Sequence, residues 1–193
     1  MGTGSQLSVV VGRLLLSEDY QTRPYFNNTY LLTVPHIPCG RALNVYFRFI
    51  KDIILSYNEH DVDENKIWNI LMNFSDDTSF DSEILEMDMG FFDNAITNSS
   101  IGSISRINEE NFTLSNFSAS IAGQMVKNYV IAAEIIPMAD EMKKIIFTGG
   151  VARKNPKLVS RIASGIGVEG YTICNQDALD GLKKYIEMDN RIL

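Results

Sequence analysis

Two short stretches hold the residue types that handle phosphate or sugar chemistry, Gly2-Thr3-Gly4-Ser5 and Thr148-Gly149-Gly150. Glycine lets a backbone approach a ligand closely, because no Cβ stands in the way. In the first stretch the hydroxyls of Thr3 and Ser5 are also donors for phosphate oxygens. Each stretch borders an apolar, β-branched run, residues 6–11 after the first and 145–147 before the second. Taken singly, each is equally a tight turn at a strand edge. The second is followed by Arg153-Lys154-Asn155-Pro156, whose cations are either ligand contacts or a solvated charged turn. Asn155-Pro156 opens an apolar-periodic helix, with proline in the first turn, where its missing N–H does no harm.

Other chemistries drop out. Gly165-Ile166-Gly167-Val168-Glu169-Gly170 spells GxGxxG, but a dinucleotide fingerprint needs a strand before it and a helix after it. Here a helix ends and a strand begins, so these glycines read as a helix C-cap. No GxxxxGK[ST] spans residues 149–155, GxSxG is missing, and His36 and His60 give a Ser-His-Asp triad little support. Cys39 and Cys174 are far apart and neither belongs to a CxxC pair, which disfavours a zinc site. Asp76-Asp77 and Asp88 lie in a polar stretch and read as solvated loop.

Composition narrows the class further. The chain has 193 residues, a net charge of -7, and 45% hydrophobic against 21% charged residues. That balance supports one domain with a buried core. It disfavours nucleic-acid binding, which needs a basic face. No apolar run reaches transmembrane length and no signal peptide is visible, so a cytoplasmic protein with reduced thiols and no membrane contact is expected.

The elements that must position the glycine turns follow from periodicity. Strands are expected over 6–11 and 30–34, with a turn at Asn27-Asn28 between them. Leu43, Phe47, Ile50 and Ile54 recur at three and four and predict an amphipathic helix after Gly40. A second helix is expected over 61–74, with Ile67, Leu71 and Phe74 on one side. Residues 75–112 are polar and irregular, with strand-like pieces at 84–87 and 102–107. Thr113 is an N-cap candidate for a long helix bearing Phe117, Ile121, Met125, Tyr129 and Ala133, limited by Pro137. A strand at 145–147, a helix at 156–165, a strand at 171–174 and a helix at 177–188 close the chain. Such alternation predicts an α/β layer structure with parallel strands.

In this order along the chain, the motifs resemble the C-terminal half of the FGGY family of carbohydrate kinases, especially its sedoheptulokinase-like members. Gly2-Thr3-Gly4-Ser5-Gln6 is similar to the family's second phosphate loop. Arg23-Pro24-Tyr25, YLLTV and Cys39-Gly40-Arg41-Ala42 resemble the segment leading into the first long helix. Gly102-Ser103-Ile104 and Asn111-Phe112-Thr113 look like the stretch before the helix that contains Ala122-Gly123. Thr148-Gly149-Gly150 with Arg153-Lys154-Asn155-Pro156 resembles the adenosine motif, and Gln176-Asp177-Ala178 with Gly181 the final segment.

The resemblance implies an actin-like, ribonuclease-H-like domain, with a mixed central sheet flanked by helices, that spans residues 1–193. It would be the second of two domains that close around Mg2+, ATP and a sugar, a ketose such as sedoheptulose or a related polyol. By carry-over, Gly2 and Thr3 contact the terminal phosphates and Gly4 keeps that loop compact. Gly149 and Gly150 let the nucleotide lie on backbone, and Asn155 sits beside the adenine. The family's catalytic aspartate and most of its sugar-binding surface belong to the first domain, and the resemblance begins after it, so that domain is expected to be missing from this chain. No catalytic residue or metal ligand is therefore assigned here. The chain alone is expected to be inactive, needing an N-terminal half, and its exposed interdomain face to favour that partner or self-association. Val151 stands where relatives have glycine, Phe91-Phe92-Asp93-Asn94 lacks an arginine common in the family, and Gly181-Leu182-Lys183-Lys184 replaces a small-residue run. These departures motivate a second expectation, a non-catalytic remnant that serves protein association.

Overall fold

A computed structural model describes residues 1, 4–57, 62–72, 85–97, 99–137 and 142–175 of the chain. The run SQLSVVV forms β1 (Ser5–Val11), with Ser5, Leu7 and Val11 turned inward. It pairs antiparallel with β3 (Tyr30–Ile37), whose other edge takes β2 (Gln21–Pro24). β2 is absent from the sequence expectation, and its Pro24 is tolerated because an edge strand has one unpaired side. Asn27 and Asn28 form the expected turn, both at positive φ, 54° and 56°. Near its end β3 holds one extra residue: Leu7 faces Val34, but Ser5 faces Ile37. This is a β-bulge, with His36 at φ 56°.

The apolar residues recurring at three and four do form a helix, α1 (Gly40–Tyr57), which buries Ala42, Leu43, Tyr46 and Phe47. α2 (Glu64–Met72) buries Ile67 and Leu71. It is held to α1 by the stacked rings of Phe47 and Trp68 (4.5 Å, 14°) and by a 2.6 Å Lys51–Glu64 ion pair. α2 starts later than expected, since Val62 and Asp63 precede it as non-helical residues; residues 61, 73 and Phe74 lie outside the described residues. β4 (Glu86–Asp88) and β5 (Ser103–Ser105) form a short antiparallel pair; β5 is trimmed from the piece expected, and β4 runs one residue past its own, taking in Asp88, expected as loop.

α3 (Leu114–Ile135) is capped as expected, Thr113 Oγ1 accepting from the Asn116 N–H. Its buried residues run from Ser118 to Ala133 and are not confined to one stripe. The reason is position: α3 touches β1, β3, β4, α2 and α5. Small residues such as Ala119, Ala122 and Ala132 let these neighbours approach. Asn128, 1% exposed, ties the helix to the link between β3 and α1 by donating to the Pro38 carbonyl (3.2 Å).

β6 (Lys144–Phe147) and β7 (Gly170–Ile173) pair in parallel, joined by α4 (Gly150–Lys154) and α5 (Pro156–Ile166). Gly167 ends α5 at φ 82°, its N–H reaching the carbonyls of Ala163 and Ser164 at 3.1 Å. The GxGxxG stretch is thus a left-handed helix cap, as the order of elements required. The helix expected at 177–188, with Gln176, Asp177, Ala178 and Gly181, lies outside the described residues.

The protein is a mixed α/β structure whose buried apolar residues form one cluster. Among the described residues the strands make three small sheets and not the single mixed central sheet expected. β1 and β6 do not pair, and it is Met1 that meets the end of β6. The Met1 nitrogen donates to the Thr148 carbonyl, and its own carbonyl accepts from the Val151 N–H at 3.2 Å. No helix among the described residues is long and apolar enough to cross a membrane.

Candidate functional site

The second glycine turn separates into two unlike positions. Gly149 sits at φ 95° and ψ 168°, where a side chain is strained, and it precedes α4. A Cβ added there would stand 2.3 Å from the Met1 carbonyl oxygen. Gly150 has nothing within 4 Å of the same point and faces open space. The sequence reading treated the pair as one shelf; in the structure only Gly150 is open to a ligand, because Met1 fills the space beside Gly149.

Arg153 and Lys154, expected as a contact or a turn, form the last turn of the five-residue helix α4 and are exposed. Asn155 breaks the helix at φ -134° and ψ 71°. Its Nδ2 donates to the Val151 carbonyl (2.9 Å) and its backbone carbonyl accepts from Val159 (3.2 Å). The buried Asn155 side chain therefore joins α4 to α5 while still lining the cleft beside them.

That cleft has a volume of about 1190 Å³. Gly150, Val151, Lys154 and Asn155 form one side; Arg41 and Asn44 from α1 and Asn65, Trp68 and Asn69 from α2 form the other. Among the described residues its charged lining is Arg41 and Lys154, with no carboxylate. In a chain with 24 acidic and 17 basic residues, this is a local reversal of sign. A planar aromatic face, several amides with both donors and acceptors, and two cations suit a flat polar ring that carries an anionic group. Arg41 also lies over the Phe92 ring at 4.3 Å, which steadies its guanidinium beside the cleft.

The first glycine stretch is less complete. Gly2 and Thr3 lie outside the described residues, and Gly4 is exposed and is not part of the cleft lining. Ser5, expected to turn its hydroxyl to phosphate, is only 2% exposed. The alternation of β1 sends it inward, towards Cys39 and Tyr129. Burial pushes the Cys39 thiol up, which keeps it protonated and unsuited to nucleophilic work. Burial and then the adjacent Cys39 push the Tyr129 phenol well up. Its hydroxyl has these polar neighbours but no hydrogen bond of good geometry.

Met1 lies against Gly149, while Gly2 and Thr3 lie outside the described residues. The α1 and α2 wall was missed by sequence reasoning. Its signal was Asn65-x-x-Trp68-Asn69, a stripe at helical spacing opposite Ile67 and Leu71 with an aromatic residue on its polar side. Among the described residues, no three His, Cys, Asp or Glu side chains stand close enough together to hold a metal ion. Compared with protein-family models, curated proteins and solved structures, the chain matches none.

Proposed function

We propose that this chain is the nucleotide-binding C-terminal domain of an actin-like carbohydrate kinase, one that transfers the ATP γ-phosphate to a sugar hydroxyl. The observation that carries the proposal is the cleft between α4 and the α1–α2 pair, which among the described residues has a tryptophan face, two cations and no carboxylate. Gly150 leaves room for a nucleoside there, and Val151 narrows the room by one side chain. The described cleft residues include no carboxylate cluster for Mg2+, and in this reading the ion arrives on the nucleotide phosphates. Among the described residues that line the cleft, no carboxylate or histidine stands ready to take a proton from a sugar hydroxyl. Turnover then requires a base from an N-terminal half.

Calorimetry with ATP, ADP and adenosine tests the reading directly. Micromolar to millimolar binding is expected, with no sugar-dependent ATP consumption by this chain alone. Absence of binding at millimolar nucleotide, with or without an N-terminal half, sinks the proposal.

A second reading, an association domain without catalysis, rests on α1. Phe49, Ile53 and Tyr57 recur every four residues along this helix and are 62%, 52% and 89% exposed. Such a stripe is suited to a protein partner. Under that reading Phe49→Ser disrupts association while nucleotide has no effect on the protein.

A further inference from the structure

We infer that Phe92 is a positioning residue: its ring holds the Arg41 guanidinium at the cleft wall, and the cleft thereby favours a phosphorylated nucleoside over the bare nucleoside. The inference rests on the nucleotide reading above. Arg41 lines the cleft and Phe92 does not, so Phe92 acts only through Arg41.

The three cations of α1 are held in different ways. Lys51 pairs with Glu64 at 2.6 Å, and Arg48 donates its Nε to the Asn44 carbonyl at 3.3 Å. Arg41 lies instead over the Phe92 ring, its Cζ 4.3 Å from the centroid, and makes no hydrogen bond or ion pair among the described residues. A carboxylate partner would occupy the guanidinium donors and cancel the charge. A ring face restrains the group yet leaves both its donors and its charge for an anion.

The ring is itself fixed. Phe92 and Asn94 are both buried. Asn94 Nδ2 donates to the carbonyls of Phe92 and Ser99, each at 2.9 Å, and its Oδ1 accepts from the N–H groups of Ile96 (3.0 Å) and Thr97 (2.9 Å). These bonds lock the backbone that carries the ring. On the preceding residue, the Phe91 ring meets Tyr46 of α1 edge-on at 5.2 Å. Gly102 leaves the space for it, since a Cβ there would stand 2.2 Å from the Phe91 ring. An exposed arginine loses much rotamer freedom when it captures an anion, and one already tethered to a rigid ring loses less. Adenosine carries no charge for Arg41 to meet, so the tether acts on the phosphorylated ligand alone.

The test is calorimetry on the full chain with ATP and adenosine, for the wild type, Arg41→Ala, Phe92→Leu and the double variant. The wild type should bind ATP more tightly than adenosine. Arg41→Ala should lower ATP affinity about tenfold or more and adenosine affinity less than about twofold. Phe92→Leu should lower ATP affinity about two- to fivefold, leave adenosine unchanged, and have no further effect once Arg41 is gone. An unchanged ATP-to-adenosine ratio in Phe92→Leu, or the same loss in the Arg41→Ala background, overturns the positioning role and leaves the cleft reading standing. Failure of the wild type to bind either ligand removes both.

If Phe92→Leu does not fold, nitrogen-15 NMR of the wild type decides. The ring current of Phe92 should displace the Arg41 Nε–H signal in the free chain, and ATP should move that signal while adenosine leaves it in place. An undisplaced signal, or an equal response to both ligands, refutes the inference.

Discussion

Trp68 offers the sharpest single test of the cleft, since it is the chain's one tryptophan and lines the site itself. Its fluorescence therefore reports the cleft with no competing signal. Replacing it with alanine should act on two separate axes. For binding, loss of a base-stacking face costs about 1–3 kcal/mol, which is roughly a 5- to 150-fold weaker adenosine affinity. For stability, the ring is half-buried and stacked on Phe47 at 4.5 Å. Loss of that aromatic pair and its burial together should cost about 2 kcal/mol, a fall of about 4–8 °C in Tm for a chain of this size. Trp68→Phe separates the axes: it retains a ring on both sides, so Tm and affinity should stay near wild type while the fluorescence signal vanishes. The assays are adenosine titration by tryptophan quenching in the wild type, calorimetry in the variants, and thermal melts of all three. Full adenosine affinity in a folded Trp68→Ala protein would refute the stacking role. Absence of any fluorescence response to nucleotide in the wild type would place binding, if it occurs, away from this cleft.

Three further outcomes follow from the packing. Asn128→Ala leaves the buried Pro38 carbonyl without its donor and should destabilise by about 1–3 kcal/mol in urea unfolding; a loss below about 0.5 kcal/mol contradicts the role given to that bond. Burial raises both the Cys39 thiol and the Tyr129 phenol in the folded chain, so the unfolded chain loses these protons first as pH rises. Their contribution is complete below the ordinary thiol value of 9.0 and declines as pH climbs through the raised folded values. The urea midpoint should therefore fall in alkaline buffer, and Cys39→Ala should flatten that fall; an identical pH profile in the variant rejects the assignment. Gly167→Ala forces a Cβ into a left-handed cap and should lower stability by about 1 kcal/mol without changing nucleotide affinity. A selective loss of dinucleotide binding in Gly167→Ala would instead revive the GxGxxG reading.

Much of the framework was legible because it is written locally. Leu43, Phe47, Ile50 and Ile54 specify α1 by spacing, Thr113 caps α3 through its own hydroxyl, and the order of helix and strand around Gly167 distinguishes a cap from a fingerprint. β2 was missed because Arg23-Pro24 carries no alternation and Pro24 argues against a strand; only its partner β3 makes it one. α4 was missed because five residues are too few for a period to show. The cleft was half legible. Gly150 and Asn155 stand in a recognisable turn, but the wall facing them comes from residues roughly 80 to 110 positions earlier, and no local pattern records that meeting. The contact between Met1 and Gly149 is of the same kind. The inward turn of Ser5 was readable in principle from the alternation with Leu7, had its hydroxyl not suggested phosphate.

The extra residue in β3 also makes the length of the β3–α1 link a matter of parity. Of the apolar-core residues here, Leu32 and Val34 precede the bulge and Ile37 and Cys39 follow it, a change from even to odd positions, while Thr33 and Pro38 are buried outside that cluster. α1 begins one residue past Cys39 and inherits its rotation from that count. Deleting one residue between Val34 and Cys39 would send Cys39 outward and turn α1 by about 100°, away from the phase that buries Leu43 and Phe47. Arg41 and Asn44 would leave the cleft with it. The stretch 12–20, which lies before β2 and sets no helix phase, has no such arithmetic. Changes in chain length should accumulate there and be excluded between Val34 and Gly40.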